Sequence, residues 1–316
     1  MKFFRSEEGT VIVLVALMMT IFLGFLALVV DIGTLYLARV KLVNALDATA
    51  LAGVQKLPST PQEAREVALN YAAKNELSND NITIQILDDN HQIAAKGNRE
   101  VVMNFASIFG IDQVQITASS KAKVGKITAM SGVVPFGVLK ENFAYGEKYY
   151  LRYGPGTSGQ TGARNGNFGA LALGGNGANN YEDNLRYGYD SELKIGQQVS
   201  TEPGNMAGPT TRAIEDRIDS CQELIPCTYD SVEKDCSRLI FVPVIDELGS
   251  GRSETTIVGF AAFFLEGTTS QKDKENNQSP GQTTYVEGRF ISWLASSGEM
   301  GSEGGEFKLR TVKLVE

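Results

Sequence analysis

Residues 10–30 (TVIVLVALMMTIFLGFLALVV) are 21 consecutive positions without a charge. At about 1.5 Å per helical residue, a run of this length matches a hydrocarbon core of about 30 Å. The pattern predicts one membrane-spanning helix, with residues 1–9 as a short cytoplasmic tail. A cleaved export signal typically carries an apolar core of about 7–15 residues and small residues at its cleavage site. Neither feature is present, and no second run of this kind follows. Past Asp31 the sequence stays free of proline from Ile32 to Leu57, with Leu35, Leu42, Leu46, Ala50, Gly53 and Leu57 at helical spacing. The span is therefore predicted to continue as an amphipathic stalk to Leu57. Ala45, Ala48, Ala50, Ala52 and Gly53 crowd the second half of that stalk. Small side chains let another backbone approach closely, so Leu42, Ala45, Leu46, Ala50 and Gly53 are expected to form a packing surface for a partner helix.

Pro58-Ser59-Thr60-Pro61 interrupts this helix and starts a second, with Thr60 and Glu63 spaced as a capping box and Pro61 in the first turn. The second helix is expected to run to about Leu77, completing a hairpin. Alternation then predicts strands at Ile82–Leu87, Glu100–Phe105 and Gln113–Val124, a small antiparallel sheet that closes a region spanning residues 31–130. Composition shifts near Ser131. Phe136 to Tyr153 is aromatic and strand-prone, and Gly154 to Tyr181 is rich in glycine and predicts surface loops. A type II turn is expected at Pro203-Gly204 and a short helix at Thr211–Cys221. Strands are expected at Leu193–Val199, Arg238–Ile245, Thr255–Leu265, Thr283–Leu294 and Phe307–Val315. The overall expectation is an α+β chain whose residues 131–316 form an all-β domain, barrel or sandwich.

The formal charge of −8 lies almost wholly after the apolar run, because Lys2 and Arg5 offset Glu7 and Glu8 before it. An acidic body repels phosphate backbones, which argues against nucleic acid as a partner. Lys2 and Arg5 on one side face Arg39 and Lys41 on the other, so basic residues alone do not set the orientation. The expected arrangement is a cytoplasmic N-terminus and an extracytoplasmic body. Cys221, Cys227 and Cys236 cluster within that body, and one disulfide with one remaining thiol is expected there, Cys221 with Cys227 being the preferred pair. The spacing C-x5-C-x8-C does not resemble the paired ligands of structural zinc. Gly154-Pro155-Gly156-Thr157-Ser158-Gly159 fits G-x-G-x-x-G, but further glycines at 162, 166 and 169 leave no helix to meet a pyrophosphate. His91, the single histidine, sits in a polar turn, and the pairs Asp88-Asp89 and Glu182-Asp183 lack the alternating oxygen ligands of a calcium loop. No catalytic residue, cofactor or metal is expected, and the chain is not expected to be an enzyme.

The N-terminal segment closely resembles the TadE/TadG-like proteins of Flp (Tad) pilus assembly. The resemblance rests on Gly9 before the apolar run, the V-D-I-G edge at Val30 to Gly33, Y-L-A-R at Tyr36 to Arg39, and D-A-T-A-L-A-G at Asp47 to Gly53. It covers about the first 75 residues. Three later stretches, GNFGAL (Gly166 to Leu171), TEPGNMAGPT (Thr201 to Thr210) and VGFAAFFLEG (Val258 to Gly267), look like the C-terminal part of longer TadG-like chains. The family implies a single-pass membrane anchor, an outward-facing body and a structural or assembly role, minor pilin-like or at the tip, in a type IV-like pilus. Its implied partners are pilin-like helices, Tad membrane components and the lipid bilayer. Pilin precursors are cut after a glycine and carry Glu at the fifth mature position. Here Gly9 places Leu14 there, which sets this chain with the uncleaved TadG branch. An alternative role is a membrane-tethered surface protein that binds envelope polymer or host glycan through glycine-rich loops and Tyr145, Tyr149 and Tyr153.

Overall fold

The computed structural model describes residues 8–78, 80–153, 164–202, 206–221, 227–249, 252–272, 282–301 and 307–315. The chain divides into two compact units, Met1–Val124 with Lys313–Glu316, and Gly125–Val312. The expected turn at Pro203-Gly204 and the G-x-G-x-x-G segment lie outside the described residues.

The first unit opens with α1, Glu8–Val54, a single helix of 47 residues. It ends three residues before the predicted stop, because the backbone already turns at Gln55 ahead of Pro58. The second helix, α2, spans Pro61–Lys74. The Thr60 side chain does not cap it; its hydroxyl lies 3.1 Å from Glu63 Oε2 and 3.2 Å from the Lys56 carbonyl. Three strands follow, β1 Asn81–Leu87, β2 Gln92–Val102 and β3 Gln113–Met130. They pair as an antiparallel meander, from Asn81↔Asn98 to Leu87↔Gln92 and from Gln92↔Lys123 to Val102↔Gln113. Of the strand expected at Glu100–Phe105, only Glu100–Val102 is strand, as the end of a longer one, and Met103–Phe105 belong to the connection that follows. The first half of β2 buries Ile93, Ala95 and Gly97, two of them too small to register as a hydrophobic alternation. Arg99 fastens the α2–β1 connection to the sheet by gripping both Asp80 carboxylate oxygens at 2.7–3.0 Å and the Glu76 carbonyl at 3.2 Å.

The second unit is mostly β. Its strands are β4 Phe136–Leu139, β5 Lys148–Tyr153, β6 Arg164–Ala170, β7 Leu193–Lys194, β8 Gln198–Ser200, β9 Leu239–Ile245, β10 Glu254–Lys272, β11 Gln282–Ile291, β12 Trp293–Ala295, β13 Glu299–Gly301 and the start of β14 Leu309–Val315, whose residues from Lys313 on belong to the first unit. Six of them form a closed circuit, β11-β5-β6-β4-β9-β10 and back to β11, so this part of the body is a barrel of mixed strand direction. Closure removes the free edges an open sheet would expose. Along β10, Ala261, Phe263 and Leu265 join one buried cluster with Phe136, Tyr149, Val286 and Phe290, while Phe260, Ala262 and Phe264 join another with Leu239 and Ile291. A strand buried on both faces reads as an unbroken apolar run, which is how it appears in the sequence.

The body is not purely β. Two helices, α3 Ala178–Tyr187 and α4 Ala207–Asp219, bury Tyr181, Leu185, Ala213 and Ile214 in the first of these clusters. The short helix expected from Thr211 starts four residues earlier. α3 was not legible because it follows directly on Gly174, Gly175 and Gly177, all at positive φ, and carries only two large buried side chains.

Candidate functional site

α1 changes character along its length. From Val11 to Val30 its large apolar side chains are 46–70% exposed on every side. A helix apolar all round needs an apolar solvent or a surrounding core, and among the described residues none encloses it. Beyond the run, the small-residue stripe is buried: Leu42, Leu46 and Ala50 are fully enclosed and Ala45 nearly so. A Cβ added at Gly53 would stand 2.6 Å from Ile93 Cδ1, 2.9 Å from the Ala64 carbonyl oxygen and 2.9 Å from Ala68 Cβ. One added at Gly97 would meet Leu42 Cδ1 at 3.2 Å and Leu46 Cδ2 at 3.4 Å. The stripe does permit close approach, but the elements that approach are the chain's own α2 and β2. The sequence pattern identified the packing face; the covering elements were not readable from it, because Ala64, Ala68, Ala95 and Gly97 supply the complementary small residues from distant positions.

These contacts lay β2 antiparallel along α1. Ile93 meets Gly53, Gly97 meets Leu42 and Leu46, and the residues just after β2 meet Asp31. Eleven residue steps from Ile93 to Asn104, all but the last two in β2, cover about 36 Å, and 22 helical steps from Gly53 back to Asp31 cover about 33 Å. The matching lengths bring the end of β2 level with the end of the apolar run. There the Asp31 carboxylate, 6% exposed, accepts the backbone N–H groups of Asn104 at 2.9 Å, Phe105 at 3.1 Å and Ala106 at 2.7 Å. In the sequence Asp31 reads only as the edge of the span. The available signal was a carboxylate abutting 21 uncharged residues with no basic residue within seven positions after it.

The family comparison falls on this helix. Residues 9–56 match the family model described as putative Flp pilus-assembly TadE/G-like. The TadE/G-like segment therefore coincides with α1 and the turn that ends it, and includes the exposed run, Asp31 and the buried stripe. It accounts for the resemblance seen in the residues at the N-terminus. No curated protein and no solved structure matches the chain. One helix among the described residues, the one carrying the TadE/G-like segment, is long and apolar enough to cross a membrane, which fits a single-pass anchor.

The other residues singled out from sequence lie outside the TadE/G-like segment. Cys221, Cys227 and Cys236 come together with their sulfurs within 4.8 Å of one another, but all three are thiols. The expected Cys221–Cys227 bond is not formed, and Cys221 stands 3.9 Å from Cys236. The turn before β9 carries Cys236 back to the end of α4, a fold contact that spacing along the chain does not encode. Burial, with Cys227 alongside, pushes the Cys236 thiol up to about 12. Tyr149 is a core residue, 1% exposed and edge-on to Phe290 at 4.9 Å, which removes it from a glycan-binding surface. His91 Nδ1 lies 3.0 Å from the carbonyl of its own turn residue Asp89.

Glu182 is held by Arg212 at 2.5 Å and Arg186 at 2.9 Å, joining α3 to α4. The Arg212 hydrogen bond, helped by Arg186 against partial desolvation, keeps the Glu182 carboxyl below the ordinary 4.5. A depressed carboxylate stabilises the fold above its unfolded value and loses that contribution as pH falls through the folded value. Glu182→Gln is expected to cost about 1 kcal/mol at neutral pH, and the deficit should start to shrink below the ordinary glutamate value of 4.5 and vanish only once the pH is below the depressed folded value. Thermal unfolding of both proteins across pH checks it; a deficit that persists in acid would remove the ion pair as its cause.

Proposed function

We propose that the protein is a membrane-anchored structural or assembly component of a Tad (Flp) type IV-like pilus, with a cytoplasmic N-terminus and an extracytoplasmic body. The observation that carries this is the coincidence of the TadE/G-like match at residues 9–56 with one continuous helix whose first half is apolar on every side. Its role is minor pilin-like or tip-associated, without catalysis. Because the small-residue stripe is covered by the chain itself, lateral contact with pilin-like helices falls to the face left open beyond the span, where Ile32, Tyr36 and Val40 recur every four residues and remain exposed. The acidic second unit, with its barrel, is the portion presented outside the cell. Deletion of the gene followed by pilus counting and an adhesion assay tests the role. Fewer or non-adhesive pili are expected, restored by the wild-type chain; normal numbers of normally adhesive pili would overturn it.

A further inference from the structure

The β2–β3 connection, residues 103–112 (MNFASIFGID), has properties that neither a water-exposed loop nor the anchoring role of α1 explains. From Met103 to Ile111 it holds no charge. Ile108 is 79% exposed, Phe109 86% and Ile111 50%, an apolar tip at the end of a long hairpin. A groove of about 840 Å³ separates this tip from α1, walled by Ile21, Phe25 and Leu28 on the helix and by Phe105, Ile108 and Phe109 on the loop. The helical wall runs back about 15 Å from Asp31 to Ile21, half the thickness of a hydrocarbon core. The tip therefore stands beside the half of the apolar run nearest the body, beyond the level of Asp31.

We propose that this tip inserts into the leaflet on the body side, its Phe and Ile side chains among lipid acyl chains, so that the protein holds the membrane at two points. The proposal rests on α1 being the membrane anchor. Three features select lipid as the occupant of the groove. The loop's exposed apolar surface is continuous with the exposed apolar surface of α1, so any bilayer that surrounds one wall reaches the other. The β2 strand, pinned along α1 from Gly53 to Asp31, fixes the tip at that depth. The backbone is also prepared for a poor hydrogen-bonding solvent. Of the nine N–H groups from Met103 to Ile111, seven have partners within the protein. Asn104, Phe105 and Ala106 donate to Asp31; Met103, Ile108, Gly110 and Ile111 donate to the carbonyls of Asp112, Phe105, Ser107 and Ala106 at 2.9–3.2 Å. An unpaired backbone polar group costs several kcal/mol in hydrocarbon, so this pairing lowers the cost of placing the tip at the headgroup–acyl boundary, where interfacial helices bury their apolar face about 5–10 Å. Gly110, at φ 81°, makes the tight reversal that keeps the 3-10 turn Ala106–Phe109 bonded to itself.

The experiment uses full-length protein reconstituted into phosphatidylcholine vesicles, with Trp293→Phe removing the native indole and Phe109→Trp placing one at the tip. Leu87→Trp, at the opposite end of the β1–β2–β3 sheet, is the comparison. Emission is recorded with ordinary lipid and with lipid brominated in the acyl chain, and retention in the vesicles after an alkaline wash reports α1 anchoring separately. Blue-shifted emission at position 109, mostly lost in brominated lipid, with position 87 unaffected, is the expected result. Water-like, unquenched emission at 109 in protein that stays with the vesicles would overturn insertion while leaving the anchor standing. Blue-shifted but unquenched emission would mean that a protein surface, such as a second copy, fills the groove, and would also overturn it. Protein washed off the vesicles would sink the anchor reading itself. Circular dichroism of each variant matching wild type establishes that the tip, not misfolding, is being read.

Discussion

Leu46→Ala is expected to destabilise the first unit by about 2–5 kcal/mol in the purified, detergent-solubilised protein, with no other pilus component present. Leu46 is fully enclosed and its methyl groups lie over Gly97 of β2, beside Leu42. Removing three carbons there leaves a void that two rigid elements cannot close: β2 is held along both edges by β1 and β3, and α1 is held by α2 through Gly53. Leu37→Ala, on the same helix but at a side chain 61% exposed, supplies the comparison and should change stability by less than about 0.5 kcal/mol. Urea unfolding followed by circular dichroism reads both. If the stripe were a docking face for a separate helix, the isolated protein would not feel Leu46→Ala, and only assembly would weaken. A wild-type midpoint for Leu46→Ala would therefore reject the enclosed packing described above.

That prediction also marks the boundary of what the sequence made legible. The apolar run, the hairpin of two helices, the antiparallel meander and a β-dominated second unit all follow from periodicity, because each is written by neighbours a few residues apart. Leu42, Ala45, Leu46, Ala50 and Gly53 were likewise readable as a packing face. Their partner was not, since closeness to Ala64, Ala68 and Gly97 depends on a reversal at Pro58 and on a strand whose inward residues are alanine and glycine. The same reason hid the role of Asp31. Its three amide donors lie more than seventy residues away, on a loop that only the equal lengths of β2 and the α1 stalk bring to it. The cysteines show a related limit: spacing along the chain puts Cys221 near Cys227, and only the fold adds Cys236, with all three sulfurs within 4.8 Å of one another. α3 escaped because glycines immediately before it outweighed Tyr181 and Leu185 in a local reading.

Barrel closure has its own test at Gly288, where the consequence of one methyl group is large. Gly288 sits in β11 opposite Leu265 of β10 on one side and Tyr149 of β5 on the other, so both neighbouring strands constrain its backbone. A Cβ added there would overlap the Phe264 carbonyl oxygen and the Phe263 ring, whose Cζ would lie 2.7 Å away. The ring is itself packed edge-on against Phe290 at 4.9 Å, and a main-chain oxygen has no rotamer to retreat into. Gly288→Ala must therefore push β11 away from β10, at a cost of about 3 kcal/mol. For a unit of this size that corresponds to a thermal midpoint lower by about 6–12 °C. Gly267, two residues past Leu265 at the bulge in the same strand pair, has open space where its Cβ would be. Gly267→Ala should leave the midpoint near that of wild type. Equal tolerance at both sites would mean that β10 and β11 are not joined at Gly288, and the six-stranded circuit would have to be opened there. Equal damage at both would place the cost in glycine's backbone freedom instead of in the contact between strands.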